Sequence, residues 1–423
     1  MKYRKFLLSI IVILSTYTIH AQVSETNLRL TFDTLGIALK NKDFALAEKV
    51  LAPDFSISAA TLPGARSLLD MILQNRKIES VELKTTDMQE GADTTLVKVD
   101  FILQDGRNQE SIVALDKENR ILFIDYFDRL FGQSRYYKSS LVETIPFKRE
   151  MESVILSLKL NDCGRPLSFL LDTGADGMAI RKSLADSLGL NISRTQNANI
   201  VGGQAQVNIS SGNIVHLSDS LTLKNQNIAI FDKVRGGLDG IIGMNLVKQY
   251  ITKIDFDKEQ IEFYSFGDYQ YADGGKTIKV SIPYNLILVP SELNIVGKKS
   301  IAANFIMDTG ANYHLIAFSK FVRKNRLLLT GFKPESQGST VSLGHATPVF
   351  HGRAYELKVG DIVQNDIPVT LQAGASDSSD SKRNIPDGSI GIQFFSNYNL
   401  TIDLLRKEIH MSPRKQVNTM NYK

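Results

Sequence analysis

One block of this chain is written twice. Phe169-Leu170-Leu171-Asp172-Thr173-Gly174-Ala175 returns as Phe305-Ile306-Met307-Asp308-Thr309-Gly310-Ala311. Downstream, Asp239-Gly240-Ile241-Ile242-Gly243 returns as Asp387-Gly388-Ser389-Ile390-Gly391. Sixteen residues after each of those aspartates comes a third pair, Ile254-Asp255-Phe256 and Ile402-Asp403-Leu404, each followed by a charged turn and a short apolar strand. Three blocks in the same order, with shared internal spacing, read as a structural duplication. The first block leads the second by 67 residues in one copy and 79 in the other. A polar loop around Ser376-Asp377-Ser378-Ser379-Asp380-Ser381 accounts for the twelve extra residues. Gly267 to Gly275 makes a linker between the copies. Apart from a helix starting at each of Gly243 and Gly391, both copies are short strands with turn signals. The chain therefore predicts two β-rich lobes, 147–267 and 276–412, and a ligand cleft between them.

The repeated Asp-Thr-Gly-Ala suggests acid–base chemistry. An apolar run feeding Asp-Thr-Gly reads as a buried strand that delivers a carboxylate to a tight turn. Glycine lets the backbone come close enough to donate N–H to that carboxylate. Threonine can hydrogen-bond sideways into the neighbouring lobe. Two such turns related by a pseudo-twofold axis would bring Asp172 and Asp308 face to face. Like charges roughly 3 Å apart cannot both ionise, so such a pair holds one proton over a wide pH range. The ionised oxygen can then deprotonate a water, while the protonated one supports the developing oxyanion of a peptide carbonyl. No metal, organic cofactor or covalent intermediate is required.

These residues resemble the retropepsin-like aspartic proteases. Asp172-Thr173-Gly174-Ala175-Asp176 matches that family's active-site turn, with the retroviral-type alanine where pepsin-like enzymes usually have serine or threonine. Gly240-Ile241-Ile242-Gly243-Met244-Asn245-Leu246 is similar to the family's I-I-G-R-N/D-L segment. The resemblance covers about residues 150 to 412. It implies a mainly β, two-lobed β-barrel pair in which Asp172 and Asp308 are the catalytic dyad, supported by Thr173, Gly174, Ala175, Thr309, Gly310 and Ala311. Ile200-Val201-Gly202-Gly203-Gln204 is the candidate flap, with Gly202 and Gly203 at its turn. The family's arginine is replaced by Met244 in one copy and Gln393 in the other. The ion pair it makes with the acid after the motif is thereby lost, which leaves Asp176 for substrate or water; Asn312 stands there in the second copy. The implied activity is that of a single-chain endopeptidase acting as a monomer on extended polypeptides. A non-catalytic protein that binds peptides in the same cleft is the alternative from another functional class.

The rest of the chain carries less chemistry. Residues 1–21 run from Lys2, Arg4 and Lys5 through an apolar block, Phe6 to Leu14, to Ala21, the order of a cleaved secretory signal. That block is nine residues, against roughly 20 for a membrane span. The reading places the mature protein in the periplasm or outside the cell. The net charge of +4 falls to +1 from Gln22 onward, too little for electrostatic binding of nucleic acid. With the one cysteine, Cys163, no internal disulfide and no cysteine-based metal site can form. Residues 22–140 read as an α+β domain. Leu28, Phe32, Leu35 and Leu39 mark one helix face, Asn41 to Leu51 a second helix stopped by Pro53, and Leu68, Leu69, Ile72 and Leu73 a third. Strands follow at Val97–Leu103, Ile112–Leu115 and Ile121–Phe127. The order resembles the NTF2-like cone folds, and implies a folding or docking module.

Overall fold

The structure is a computed structural model that describes residues 26–415 apart from 91–93, 201–202, 235–236, 343–344 and 375–385. The leader expected over 1–21, Gly202 of the candidate flap and the loop Ser376 to Ser381 lie outside the described residues. The chain divides into two compact units that part after Tyr136.

In the first unit a helix spans 26–41, and its Leu28, Phe32, Leu35 and Leu39 are all buried. They share one core with Leu69, Ile72 and Leu73 of the helix Gly64–Asn75 and with Val97, Val99 and Phe101 of the strand Thr95–Leu103. Six strands form a single sheet in the order Ala60–Thr61, Leu51–Ile57, Ile121–Ile124, Asn108–Leu115, Thr95–Leu103, Ile78–Glu90. Two expectations change here. The second helix covers Phe44–Glu48 alone, capped by the Asp43 carboxylate on the Leu46 N–H at 3.0 Å. Pro53 does not stop it; the chain is already in the strand Leu51–Ile57, which pairs parallel with Ile121–Ile124. The register of that pairing shifts between Leu51 and Ser56, so Pro53 sits where its missing N–H disturbs the ladder least. The apolar run from Ile121 leaves the sheet after Ile124 and closes as the helix Asp125–Arg129. That turn carries Phe127 into the core, where its ring lies 5.6 Å from that of Phe101.

The second unit is mainly β and built on the duplication. An eight-stranded sheet takes the strands from Lys148–Glu150 to Gly240–Ile242, and a seven-stranded sheet those from Leu288–Asn294 to Gly388–Gly391. Their registers match. Leu167–Leu171 pairs parallel with Gly240–Ile242, setting Phe169 opposite Gly240. Ile301–Asp308 pairs parallel with Gly388–Gly391, setting Phe305 opposite Gly388. In each lobe the second-block strand is flanked on its other side by an antiparallel strand, Met178–Arg181 or Leu315–Ala317. Its leading aspartate then ties back to the strand before the motif. Asp239 accepts the Ser168 N–H at 3.1 Å, and Asp387 accepts the Asn304 N–H at 2.8 Å. Short helices follow at Met244–Val247 and Ile392–Phe395.

A six-stranded sheet draws on both lobes. Ile251–Asp255 pairs antiparallel with Tyr398–Asp403, setting Ile254 opposite Leu400. These are the strands of the third repeated block, and their buried aspartates do the same work. Asp255 accepts the N–H groups of Asp257 and Lys258, and Asp403 those of Leu405 and Arg406, each closing the turn into the next strand. The duplicated blocks are thus the parts that make each lobe's central sheet and join the lobes together.

Candidate active site

Each Asp-Thr-Gly-Ala turn leaves its strand where the second-block strand ends. Asp172 N–H donates to the Ile242 carbonyl at 3.0 Å, and Met244 N–H donates to the Ala175 carbonyl at 3.0 Å. In the other lobe Ile392 N–H donates to the Ala311 carbonyl at 2.9 Å. Gly243 and Gly391 allow this stacking. A Cβ on Gly243 would lie 2.3 Å from the Ala175 carbonyl oxygen, and one on Gly391 2.3 Å from that of Tyr313.

The two turns meet at the seam. Thr173 Oγ1 donates to the Met307 carbonyl at 2.7 Å, and Thr309 Oγ1 to the Leu171 carbonyl at 2.9 Å. Each threonine oxygen also accepts the other threonine's N–H, both at 3.1 Å. Thr173 and Thr309 are fully buried, so this four-bond frame is sheltered from water. It fixes the two aspartates relative to each other. Gly174 N–H donates to its own Asp172 Oδ1 at 2.8 Å, and Gly310 N–H to Asp308 Oδ1 at 3.1 Å.

Each glycine also lies against the opposite carboxylate. A Cβ on Gly174 would stand 2.7 Å from Asp308 Cγ, and one on Gly310 2.3 Å from Asp172 Cγ. Only a residue without a side chain lets each turn lie this close to the opposite carboxylate. Burial pushes the Asp308 carboxyl above the ordinary aspartate range, and the hydrogen bonds from Asp172, Ser389, Tyr313 and the Gly310 N–H pull the other way. The fold is aspartic-protease-like.

Comparisons with known proteins bear on the same segment. The family described as Aspartyl protease matches residues 156–246, the first lobe through the helix after Gly243. Among solved structures, the aspartic proteinase from Irpex lacteus is 13% identical, covers 67% of this chain and 99% of its own, and superposes with a TM-score of 0.43. No curated protein matches the chain.

The matched segment also contains the flap candidate and Asp176. Gly203 opens the strand Gly203–His216, and Ile200 pairs with it across a hairpin from Ile192–Ile200. Asp176 is exposed, yet it is not without a charged neighbour. Lys248, one helical turn beyond Met244, feels its charge. Burial pulls the Lys248 ammonium down to about 8, the Asp176 carboxylate counters that pull, and Asn285 accepts a hydrogen bond from Lys248. In the second lobe the residue aligned with Met244 is Ile392, not Gln393 as expected; Gln393 aligns with Asn245 and donates to Asn312, a neutral pair.

Two features were not legible as parts of the site. Tyr313 Oη donates to Asp308 Oδ2 at 3.3 Å, and Ser389 Oγ donates to the same oxygen at 3.2 Å. The signal for Ser389 is a hydroxyl where the first copy has Ile241. Among the described residues no group of three or more His, Cys, Asp or Glu is placed to hold a metal, and no helix is long and apolar enough to cross a membrane.

Proposed function

We propose that this chain is an exported aspartic endopeptidase that hydrolyses peptide bonds with water activated by Asp172 and Asp308. The observation that carries the reading is the symmetric threonine–glycine frame that sets each carboxyl against the glycine of the opposite turn. A single chain supplies both halves of that pair, which supports a monomeric enzyme. One carboxylate takes a proton from water as the oxygen attacks the peptide carbonyl, and the other carboxyl gives its proton to the carbonyl oxygen. The N–H groups of Gly174 and Gly310 hold the carboxylates in place throughout. An extended polypeptide, able to pair strand-like with β-rich lobes on either side of the aspartates, is the fitting substrate. Export is supported by the order of residues 1–21. The first unit we read as an NTF2-like folding or docking module, on its helices packed against one six-stranded sheet.

The test is to expose the purified chain from Gln22 onward to a peptide library between about pH 3 and 8, with pepstatin and Asp308→Asn as controls. Cleavage that both controls abolish is the expected result. Peptides that bind but stay intact at every pH would make the protein a non-catalytic peptide binder.

A further inference from the structure

We infer that the second lobe carries a docking surface for an anionic lipid bilayer, made of six unpaired cations and two exposed apolar side chains, Leu329 and Tyr355. Three segments of that lobe supply it. The loop 295–299 presents Lys298 and Lys299 to solvent. The helix Ser319–Lys324, the turn Leu327–Leu329 and the residues after it present Arg323, Lys324, Arg326 and Lys333. The strand His345–Val359 presents Tyr355. Their contacts make them neighbours. Tyr355 N–H donates to the Ile295 carbonyl at 3.1 Å, and a Cβ on Gly297 would lie 3.3 Å from the Tyr355 ring. A Cβ on Gly331 would lie 3.7 Å from Val296 Cγ1, which sets the leucine turn beside the lysine loop.

The charge is concentrated here. The chain from Gln22 onward stands at +1, while residues 319–333 hold five cations and no acid, so the remainder is at −4. That imbalance gives the molecule a positive pole able to orient it before contact. No ion pair among the described residues involves Lys298, Lys299, Arg323, Lys324, Arg326 or Lys333. Nearby acids are already answered, Asp366 by Arg353 at 2.6 Å and Glu292 by Lys358 at 2.8 Å. Glu335, two residues past Lys333, is the nearest carboxylate in sequence. The duplication supplies the control. The matching helix of the first lobe is Lys182–Ser187, and there Lys182 pairs with Asp186 at 2.7 Å while Arg181 pairs with Asp239 at 2.8 Å. The first lobe neutralises its cations locally, and the second leaves them open.

Cations alone would suit any polyanion. The apolar side chains decide for a bilayer. Leu329 is 82% exposed, the highest value for a large apolar side chain among the described residues, and it stands on a turn entered through Arg326. Tyr355 is 56% exposed beside the lysine loop. A leucine among arginines and lysines gains nothing on a nucleic acid or an acidic sugar. At a membrane it enters the acyl boundary, the tyrosine sits at headgroup level, and the cations pair with lipid phosphates around them.

The test is co-sedimentation of the chain from Gln22 onward with phosphatidylcholine vesicles, with and without about one-third phosphatidylglycerol. Binding should require the anionic lipid and fall as salt rises. The double variant Arg326→Gln, Lys333→Gln should bind about 30-fold more weakly, and Leu329→Ser roughly ten-fold. Lys182→Gln in the first lobe should bind as wild type does. All four side chains are on the surface, so unfolding midpoints should match wild type and confirm that each variant is folded. Equal binding to both vesicles, no binding to the anionic ones, or full binding by the double variant would overturn the inference. So would full binding by Leu329→Ser together with release of the vesicles by soluble polyphosphate, which would make the surface a polyanion site. No step of this test involves turnover, so its outcome is independent of the proteolytic reading.

Discussion

The two lobes agree where the backbone must approach itself and differ where side chains address the carboxylates. Phe169 opposite Gly240 and Phe305 opposite Gly388 are one register used twice. The threonine frame is symmetric to within 0.2 Å across the seam. Around it the copies have parted. Asp308 has two hydroxyls near one oxygen, those of Tyr313 and of Ser389, whose counterpart in the first copy is Ile241. Asp239 is clamped by Arg165 and Arg181, while Asp387 has no arginine partner among the described residues. A duplicated frame in a single chain can keep its geometry and still give two like groups unlike surroundings. An assembly of identical chains cannot do that, because every substitution would appear on both sides.

The harshest way to break the comparison is to remove one carboxylate at a time. Asp172→Asn and Asp308→Asn should each lower kcat by roughly 10²–10⁴-fold with little change in KM, measured on the best peptide from the library. Either variant keeping near-normal turnover would mean that one lobe works alone.

The next effect is on stability, and here the lobes should behave alike. Thr173→Val leaves the Met307 carbonyl and the Thr309 N–H buried without a partner, and Thr309→Val does the same to Leu171 and Thr173. Each should cost about 1–3 kcal/mol in denaturant unfolding. The double variant should cost less than the sum, because both act on one network. Thr→Ser at either site keeps the hydroxyl and should recover most of the loss. Unequal single costs would show that the frame is less symmetric under load than in its distances.

The frame was legible in the sequence because contact distances dictate it. Gly174 and Gly310 face the opposing carboxylates with no room for a Cβ, so the motif could not drift in either copy. The helices of the first unit were legible for a related reason, a buried stripe at 3.6-residue spacing through Leu28, Phe32, Leu35 and Leu39. What stayed hidden depends on direction in space rather than on residue type. Ser389 stands in a short apolar run, and its partner Asp308 is 81 residues away in the chain. Tyr313 acts through a hydroxyl at the far end of a ring whose orientation no spacing rule gives. Phe127 sits in an apolar run that suits strand and helix equally, and the packing against Phe101 decides it.

The smallest effect separates the second-block aspartates by pH. Burial alone would raise the Asp239 carboxyl, but Arg165, the Ser168 N–H and Arg181 outweigh it and hold the carboxyl at about 2. A carboxyl depressed in the folded state contributes stability that is fully present above its unfolded value near 3.9 and is lost as pH falls through the folded value. Asp239→Asn should therefore cost about 1–2 kcal/mol at pH 7, after allowance for the exposed half of Arg165. The gap from wild type should close between roughly pH 4 and 2. Asp387→Asn keeps an oxygen for the Asn304 N–H and breaks no arginine pairing among the described residues, so it should cost under about 1 kcal/mol at pH 7. Unfolding midpoints of the two variants and wild type at pH 7, 4 and 2.5 read the difference directly. An Asp239→Asn penalty that persists unchanged at the lowest pH would place the value of this residue in its backbone hydrogen bond. The arginine clamp would then mark drift between the copies rather than a stabilising difference.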